Sequence, residues 1–392
     1  MKFGFVIPRF GEEIGGGAET LVGSLARKLK ERGDEVVAIT TCAKDHRTWE
    51  NEYPSGEALA YGIKTLRFPV DKRNLDIWIP LQIKLSEGIP LTLEEELAWM
   101  SESVNSRDLY TWLKRNSKDF DYIFFAPYLF GTTFFGSLTV PEKAILIPCL
   151  HDEPYAYTKV VGSMMRQAKG ALFNAAPEQR LAERLFGGIK GGVVGMGFEK
   201  SPYEDVKPYF EEPYILYLGR KETGKNCHLL IDLYLESNIK NEVKLVLAGG
   251  GSFDDIQRPG AKDKVIDIGA VSEEEKASLI KGALFLAQPS RNESFSIVLM
   301  ESWLLGVPVA VHALCDVTRE HVLKSGGGLY FEDSSDLEGI ARFFLNKDNR
   351  EKLGKAGRDY VLSEYSWEAV LRRFDSVLNG FDQVFEYEGS DR

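Results

Sequence analysis

The sequence predicts an α/β protein built from two doubly wound, Rossmann-like domains. Three observations carry this. Short apolar strands alternate with amphipathic helices in both halves, which is the signal for parallel sheets. The rhythm breaks once, at 198–213, where "FEKSPYEDVKPYFEEP" scatters three prolines among charges; this reads as the linker. The chain has 392 residues and is 44% hydrophobic, enough for two cores.

The elements follow in order. "KFGFVIP" reads as a buried strand and "RFGEEIGGGAE" as a Gly-rich loop. In "TLVGSLARKLKERG", Leu21, Leu25 and Leu29 recur every four residues and Gly33 stops the helix. "EVVAITT" is the second strand. Over 72–118, "PLTLEEELAWMSES" and "SRDLYTWLKRN" read as two helices with exposed aromatics at Trp99, Tyr110 and Trp112. "DYIFFAPY" and "KAILIPCLHDE" are strands, "MMRQAKGALFN" and "PEQRLAERLFG" give helix, short strand and helix, and "GGVVGMGFE" is strand-like. After the linker come strands "YILYLGR", "VKLVLAGG", "KVIDIG", "LFLAQPS" and "VPVAVH", with helices "NCHLLIDLYLES", "SEEEKASLIKGA" and "FSIVLMESWLLG" between them. "TREHVLKSG", "SDLEGIARFFLN" and "EKLGKAGRDYVLSEY" are helices, and "SWEAVLRRFDSVLNGFDQVFE" is a last amphipathic one. The boundaries are therefore 1–197, a linker at 198–213, a domain at 214–366 and a closing helix at 367–392. Ligands of such sheets bind outside the carboxyl ends of the strands, and two facing domains turn that edge into a cleft.

The net charge of −11 argues against a nucleic-acid binder, which needs a dominant basic face. Cys42, Cys149, Cys227 and Cys315 form no CxxC pair, so free thiols in a reducing compartment are expected. The start, "MKFGFVIPRF", is too short an apolar run for a signal segment, and no 18-residue apolar stretch exists. The expected location is cytoplasmic. A peripheral membrane contact through the helix bearing Lys159, Arg166 and Lys169 is a secondary expectation.

Three motifs carry chemistry. Gly15, Gly16 and Gly17 lie between a strand and a helix, where glycines let backbone N–H groups approach an anion. A dinucleotide fingerprint fails, because Thr20 stands where its last glycine belongs. A Walker loop fails, because no GKS or GKT follows. In "YLGRKETGKN", Arg220 and Lys225 can clamp a diphosphate, Arg by its planar fork and Lys as a point charge. In "AQPSRNESFSIVLMESWLLGVPVAV", Glu293 sits before a helix expected to start near Ser294–Ser296, and Glu301 lies up to two turns inside it. That separation, ~8–10 Å along the axis from the helix start, suits two ends of one elongated ligand. Asp119 and Asp121 formally make a DxD metal pattern, but Asp121 is more simply a strand-entry residue.

"GGGAE", "LYLGRKETGKN", "LVLAGGG" and "PSRNESFSIVLMESWLLGVPVAV", in that order, resemble the family 4 glycosyltransferases of the GT-B fold, with "EYSWEAVLRRF" similar to that family's last helices. The resemblance spans nearly the whole chain and is strongest over 214–375. It implies a retaining enzyme that moves a sugar from a UDP- or GDP-linked donor to a glycan, lipid-linked or small-molecule hydroxyl, as in polysaccharide biosynthesis. It implies no metal and no cofactor beyond the nucleotide-sugar co-substrate. Glu293 would hold donor-sugar hydroxyls, the amides of Ser294, Phe295 and Ser296 would face sugar and phosphate, and Glu301 would bind the ribose. Arg220 and Lys225 would hold the diphosphate, helped by the Gly16 and Gly17 amides. Gly249, Gly250 and Ile268 would border the base, and His151 in "CLHDEP" would sit near the reacting sugar. It also implies that the N-terminal domain receives the acceptor and that the closing helix packs back on it. The family often has glycine after the phenylalanine of "ESF"; here it is Ser296. Trp78, Trp99, Tyr128 and Phe130 are candidates to meet acceptor rings. A nucleotide-sugar epimerase or hydrolase, or a non-catalytic nucleotide-sugar or glycan-binding module, remain as alternatives.

Overall fold

The computed structural model describes residues 1–251, 260–261 and 264–382. The chain divides into two compact units: Met1–Gly197 with the described part of Val370–Arg392, and Phe198–Ala369.

The first unit is built on eight strands: β1 (Lys2–Val6), β2 (Glu35–Thr41), β3 (Gly56–Ala60), β4 (Ile63–Phe68), β5 (Tyr122–Phe125), β6 (Ala144–Leu146), β7 (Gly170–Phe173) and β8 (Gly191–Val193). Their order is β3-β4-β2-β1-β5-β6-β7-β8. All pairs are parallel except β3 with β4. That edge hairpin turns at Tyr61–Gly62, both at positive φ, 52° and 67°, the twist that a two-residue hairpin needs. The sequence pattern did not reveal it, because Gly56–Ala60 is mostly exposed and lacks an apolar face. Two helices also escaped the sequence reading. Leu75–Ser86 continues through Pro80, capped by Asn74, which accepts from the Asp76 N–H. Gly131–Thr139 holds two glycines and three threonines, poor helix formers. The final helix, Trp367–Asp382, crosses the boundary between the units. Its Phe374 packs on Phe3 and Phe124, and the Arg373 guanidinium donates to the Val194 carbonyl.

The second unit is built on β9 (Tyr214–Leu218), β10 (Lys244–Ala248), β11 (Val265–Gly269), β12 (Phe285–Gln288), β13 (Val309–His312) and β14 (Gly328–Phe331), in the order β11-β10-β9-β12-β13-β14. Every pair is parallel. β9 is buried along its whole length, as a strand covered on both faces must be. The segment 198–213 packs on this unit: the Phe198 ring stacks on Phe295, the Phe198 N–H reaches the Tyr365 carbonyl, and Glu204 pairs with Arg358.

Candidate functional site

The register of the second sheet gathers three loops. β9 lies between β10 and β12, so the chain leaves all three strands at one carboxyl edge. The loop after β9 carries Arg220 and Lys225, the loop after β10 begins Gly249–Gly251, and the loop after β12 carries Glu293. Asn226, at φ 54°, donates its side-chain amide to the Pro289 carbonyl and ties the first loop to the third. Lys225 thereby reaches Glu293: Nζ donates to Oε1 at 2.7 Å, with the Glu293 side chain only 9% exposed. Gln288, the last residue of β12, donates to Glu293 at 3.5 Å and to the Ser296 hydroxyl at 3.3 Å.

The helix after this loop runs Ile297–Leu304, slightly later than the sequence suggested. Ser296 caps it in the left-handed region, at φ 72°, a conformation that favours glycine. Phe295 is buried against Phe198, His321 and Tyr365, so its side chain anchors the loop to the core. Among the described residues, no acceptor meets the backbone N–H groups of Ser294, Phe295, Ser296 and Ile297. These are free donors at the positive end of a helix.

Glu301 lies one turn into that helix, about 6 Å along its axis from Ile297, nearer than the sequence reading placed it. Burial pushes its carboxyl above the usual range, and Lys276 opposes the shift from 2.7 Å. Burial alone would lower Lys276, but Glu301 and Glu273 together raise it. Arg220 is half exposed and lies 3.3 Å from Glu222. Its neighbour Lys221 is buried: Nζ donates to the Gly249 carbonyl at 2.5 Å and pairs with Asp267 at 3.0 Å. Lys221 braces the loop after β10 from beneath. Gly249 approaches the β9 loop so closely that a Cβ would sit 2.2 Å from the Gly219 carbonyl oxygen. Gly250 accepts from the Lys221 N–H, and Ile268 is half-buried in β11, next to Asp267.

The first unit holds the remaining candidates. Gly16 precedes the helix Gly17–Arg32, whose start has no side-chain cap. Nothing lies within 4 Å of a Cβ built on Gly15 or Gly17. Beside this loop, the buried Arg9 donates to Glu19 at 2.5 Å. His151 follows β6, with Nδ1 3.3 Å from Glu153 Oε1; that same oxygen accepts from the Tyr128 hydroxyl at 2.7 Å. Glu178 supports the segment, accepting the Leu150 N–H at 2.6 Å and the Asn174 N–H at 2.5 Å. Burial pushes its carboxyl up to about 8 against these donors.

Several sequence readings are corrected. Trp99 and Tyr128 are core residues, 2% and 1% exposed, and cannot stack on an acceptor ring. Trp99 donates to Gln82 and stacks on Tyr155. Tyr110 and Trp112 pack against the core and are not free surface aromatics. Phe130 meets the Trp49 ring edge-on. By contrast, Asp121 accepts the Lys2 N–H at 2.7 Å, in keeping with the expected strand-entry role. The sequence reading missed Lys276, Gln288, Lys221 and Glu178. Gln288 alone had a local signal, as a polar residue closing an apolar strand.

The two Rossmann-like parallel sheets match solved GT-B glycosyltransferases. Residues 204–360 match the family model for glycosyl transferases group 1. An uncharacterised glycosyltransferase of Methanocaldococcus jannaschii is 27% identical over 176 residues, 43% of this chain and 45% of its own length. A GDP-mannose-dependent alpha-(1-6)-phosphatidylinositol monomannoside mannosyltransferase of Mycobacterium tuberculosis is 26% identical over 44% of this chain and 49% of its own. This chain thus spans about half the length of these curated relatives. The Anabaena protein HepE, solved with UDP and glucose, superposes with a TM-score of 0.68 at 16% identity, over 97% of this chain and 99% of its own. Among the described residues, no helix is long and apolar enough to cross a membrane.

Proposed function

We propose that the chain is a retaining glycosyltransferase that moves a sugar from a nucleotide diphosphate sugar to an acceptor hydroxyl. The observation that carries this is the Lys225–Glu293 pair, set beside unsatisfied helix N–H groups at the carboxyl edge of the second sheet. In this reading Glu293 accepts hydrogen bonds from donor-sugar hydroxyls. Lys225 turns from Glu293 to the diphosphate, joined by Arg220 and by the free N–H groups of Ser294 to Ile297. Glu301, held by Lys276, takes the ribose hydroxyls. As the bond from sugar to phosphate breaks, negative charge grows on the diphosphate, where these cations and dipoles stabilise it. The departing phosphate oxygen takes the acceptor's proton on the same face, so configuration is retained and no second carboxylate is needed. No metal enters this scheme. His151, oriented by Glu153, belongs near the reacting sugar, and the Gly16 and Gly17 amides near the phosphates. UDP in the HepE complex and GDP-mannose in the name of the mycobacterial relative support a nucleotide-sugar donor with either base.

Thermal unfolding with UDP, GDP, ADP and NAD added separately tests the reading. A ligand at 100 times its dissociation constant adds about 2.7 kcal/mol of stability. The expected result is a shift with one diphosphate that Glu301→Ala abolishes. No shift with any of the three diphosphates, or a shift with NAD only, would overturn it.

A further inference from the structure

A cavity of about 320 Å³ opens within the first unit, apart from every donor residue assigned above. One wall comes from the turn between the helices Leu75–Ser86 and Leu93–Ser101, and consists of Leu85, Ile89, Pro90 and Leu91. The opposite wall is polar and comes from Asp152, Glu153 and Tyr157, immediately after His151. Glu96 completes it from the second of those helices.

The chemistry of this lining is selective. Glu96 is 4% exposed. Its Oε2 accepts the Val160 N–H at 3.0 Å, while Oε1 meets no donor among the described residues. That oxygen is not sealed from solvent, and Glu96 lines the cavity, so it is open to accept from a ligand hydroxyl or amine there. Asp152 accepts from the Tyr157 hydroxyl and from Arg184, both at 2.6 Å. Glu153 is engaged by Tyr128 and His151. No lysine, arginine or histidine lines the cavity; Arg184 offsets Asp152 from outside it, but Glu96 and Glu153 leave the lining with an excess of negative charge, which disfavours phosphate or carboxylate groups. Ile89 and Tyr157 stand at its rim, 46% and 58% exposed. They offer an apolar edge and a ring against which the C–H face of a sugar can lie.

We infer that this cavity is the acceptor site and takes an uncharged glycoside with an apolar aglycone. The sugar hydroxyls donate to Glu96, and the aglycone lies on Ile89 and Pro90. The acceptor hydroxyl is thereby delivered beside His151. This rests on the transfer reading above. It narrows the acceptor class by excluding anionic sugars.

The test is binding to the full chain, followed by saturation-transfer NMR, of octyl β-glucoside below its micelle threshold and of the matched anion, octyl β-glucuronide. The glucoside is expected to bind and the glucuronide at least about tenfold more weakly. Ile89→Ser and Tyr157→Ala alter exposed side chains and should leave folding intact, yet each should weaken the glucoside about five- to tenfold. Equal binding of the anion, parental binding by both variants, or no glucoside binding would overturn the inference. Phosphatidylcholine vesicles carrying a neutral glucolipid separate two sources of the same chemistry. Co-sedimentation lost in Ile89→Ser marks a membrane-held acceptor; glucoside binding without co-sedimentation marks a soluble one, and both support the site. The diphosphate shift of the preceding section is measured in the same variants. A shift without glycoside binding sinks this inference and leaves the transfer reading standing. Glycoside binding without any diphosphate shift sinks the transfer reading, and the acceptor role with it.

Discussion

Two loops occupy the same place in their sheets and hold opposite chemistry. β1 and β9 each lie between parallel neighbours and each runs through a loop into a helix. The loop after β1 ends in glycine where it enters its helix. Space beside Gly15 and Gly17 is open, and the loop's own cation, Arg9, is already bound to Glu19. The loop after β9 is closed from beneath by Lys221 and Gly249 and carries its cations outward, with Lys225 on Glu293 and Arg220 half exposed. Topology therefore supplies a place where backbone ends converge. The residues decide whether it offers backbone N–H groups or side-chain positive charge.

The largest expected effect falls on the charged loop. Lys225→Ala should lower turnover about 100- to 1,000-fold, with the fold intact by circular dichroism. Parental turnover would remove Lys225 from the diphosphate. The same loop should be intolerant of added bulk below. Gly249→Ala places a Cβ 2.2 Å from a carbonyl oxygen at a positive φ of 125°, and should destabilise the second unit by about 2–4 kcal/mol in chemical unfolding. A smaller loss would mean that the β10 loop can draw away from Gly219.

The comparison extends to carboxylates. Glu293 and Glu301 each meet a lysine, whereas Glu178 meets backbone N–H groups. Burial raises Glu178 from 4.5 to about 8. In that window the folded chain keeps a proton that the unfolded chain releases, so stability should fall as pH rises from about 4.5 to about 8. The slope from this one group is at most about 1.4 kcal/mol per pH unit, read by urea unfolding across that range. A flat profile, unchanged in Glu178→Ala, would show that the N–H donors outweigh burial. The smallest effect on stability belongs to the open loop. Gly17→Ala begins a helix in free space, so stability should hold or rise by about 0.5–1 kcal/mol. Turnover should nevertheless drop, because a methyl group keeps the phosphate from the amides; parental turnover would separate this loop from the donor.

Much of the fold was legible because its signals are local. β9 is an unbroken apolar run, β12 is apolar up to its closing Gln288, and the helix Gly17–Arg32 repeats leucine every fourth position. The elements that escaped had weak local signals: an exposed edge strand at Gly56–Ala60, and a helix through Pro80. The aromatics misled for a related reason. Trp99 follows three glutamates, which suggests a surface helix, yet Glu96 is itself buried and Trp99 lies in the core. Composition reports a residue's neighbours in the chain, and burial depends on neighbours in space.

The sequence by itself determined two parallel α/β units, because a strand covered on both faces must be apolar throughout and the helices covering it must be apolar on one side. It also marked the three loops that carry glycines, cations and carboxylates. Only the tertiary structure decided which charges meet. Lys276 reaches Glu301 from a helix 25 positions upstream, and Lys225 reaches Glu293 across 68 positions, through the adjacency of β9 and β12. No local period encodes such distances. They follow from strand order, which long-range packing selects.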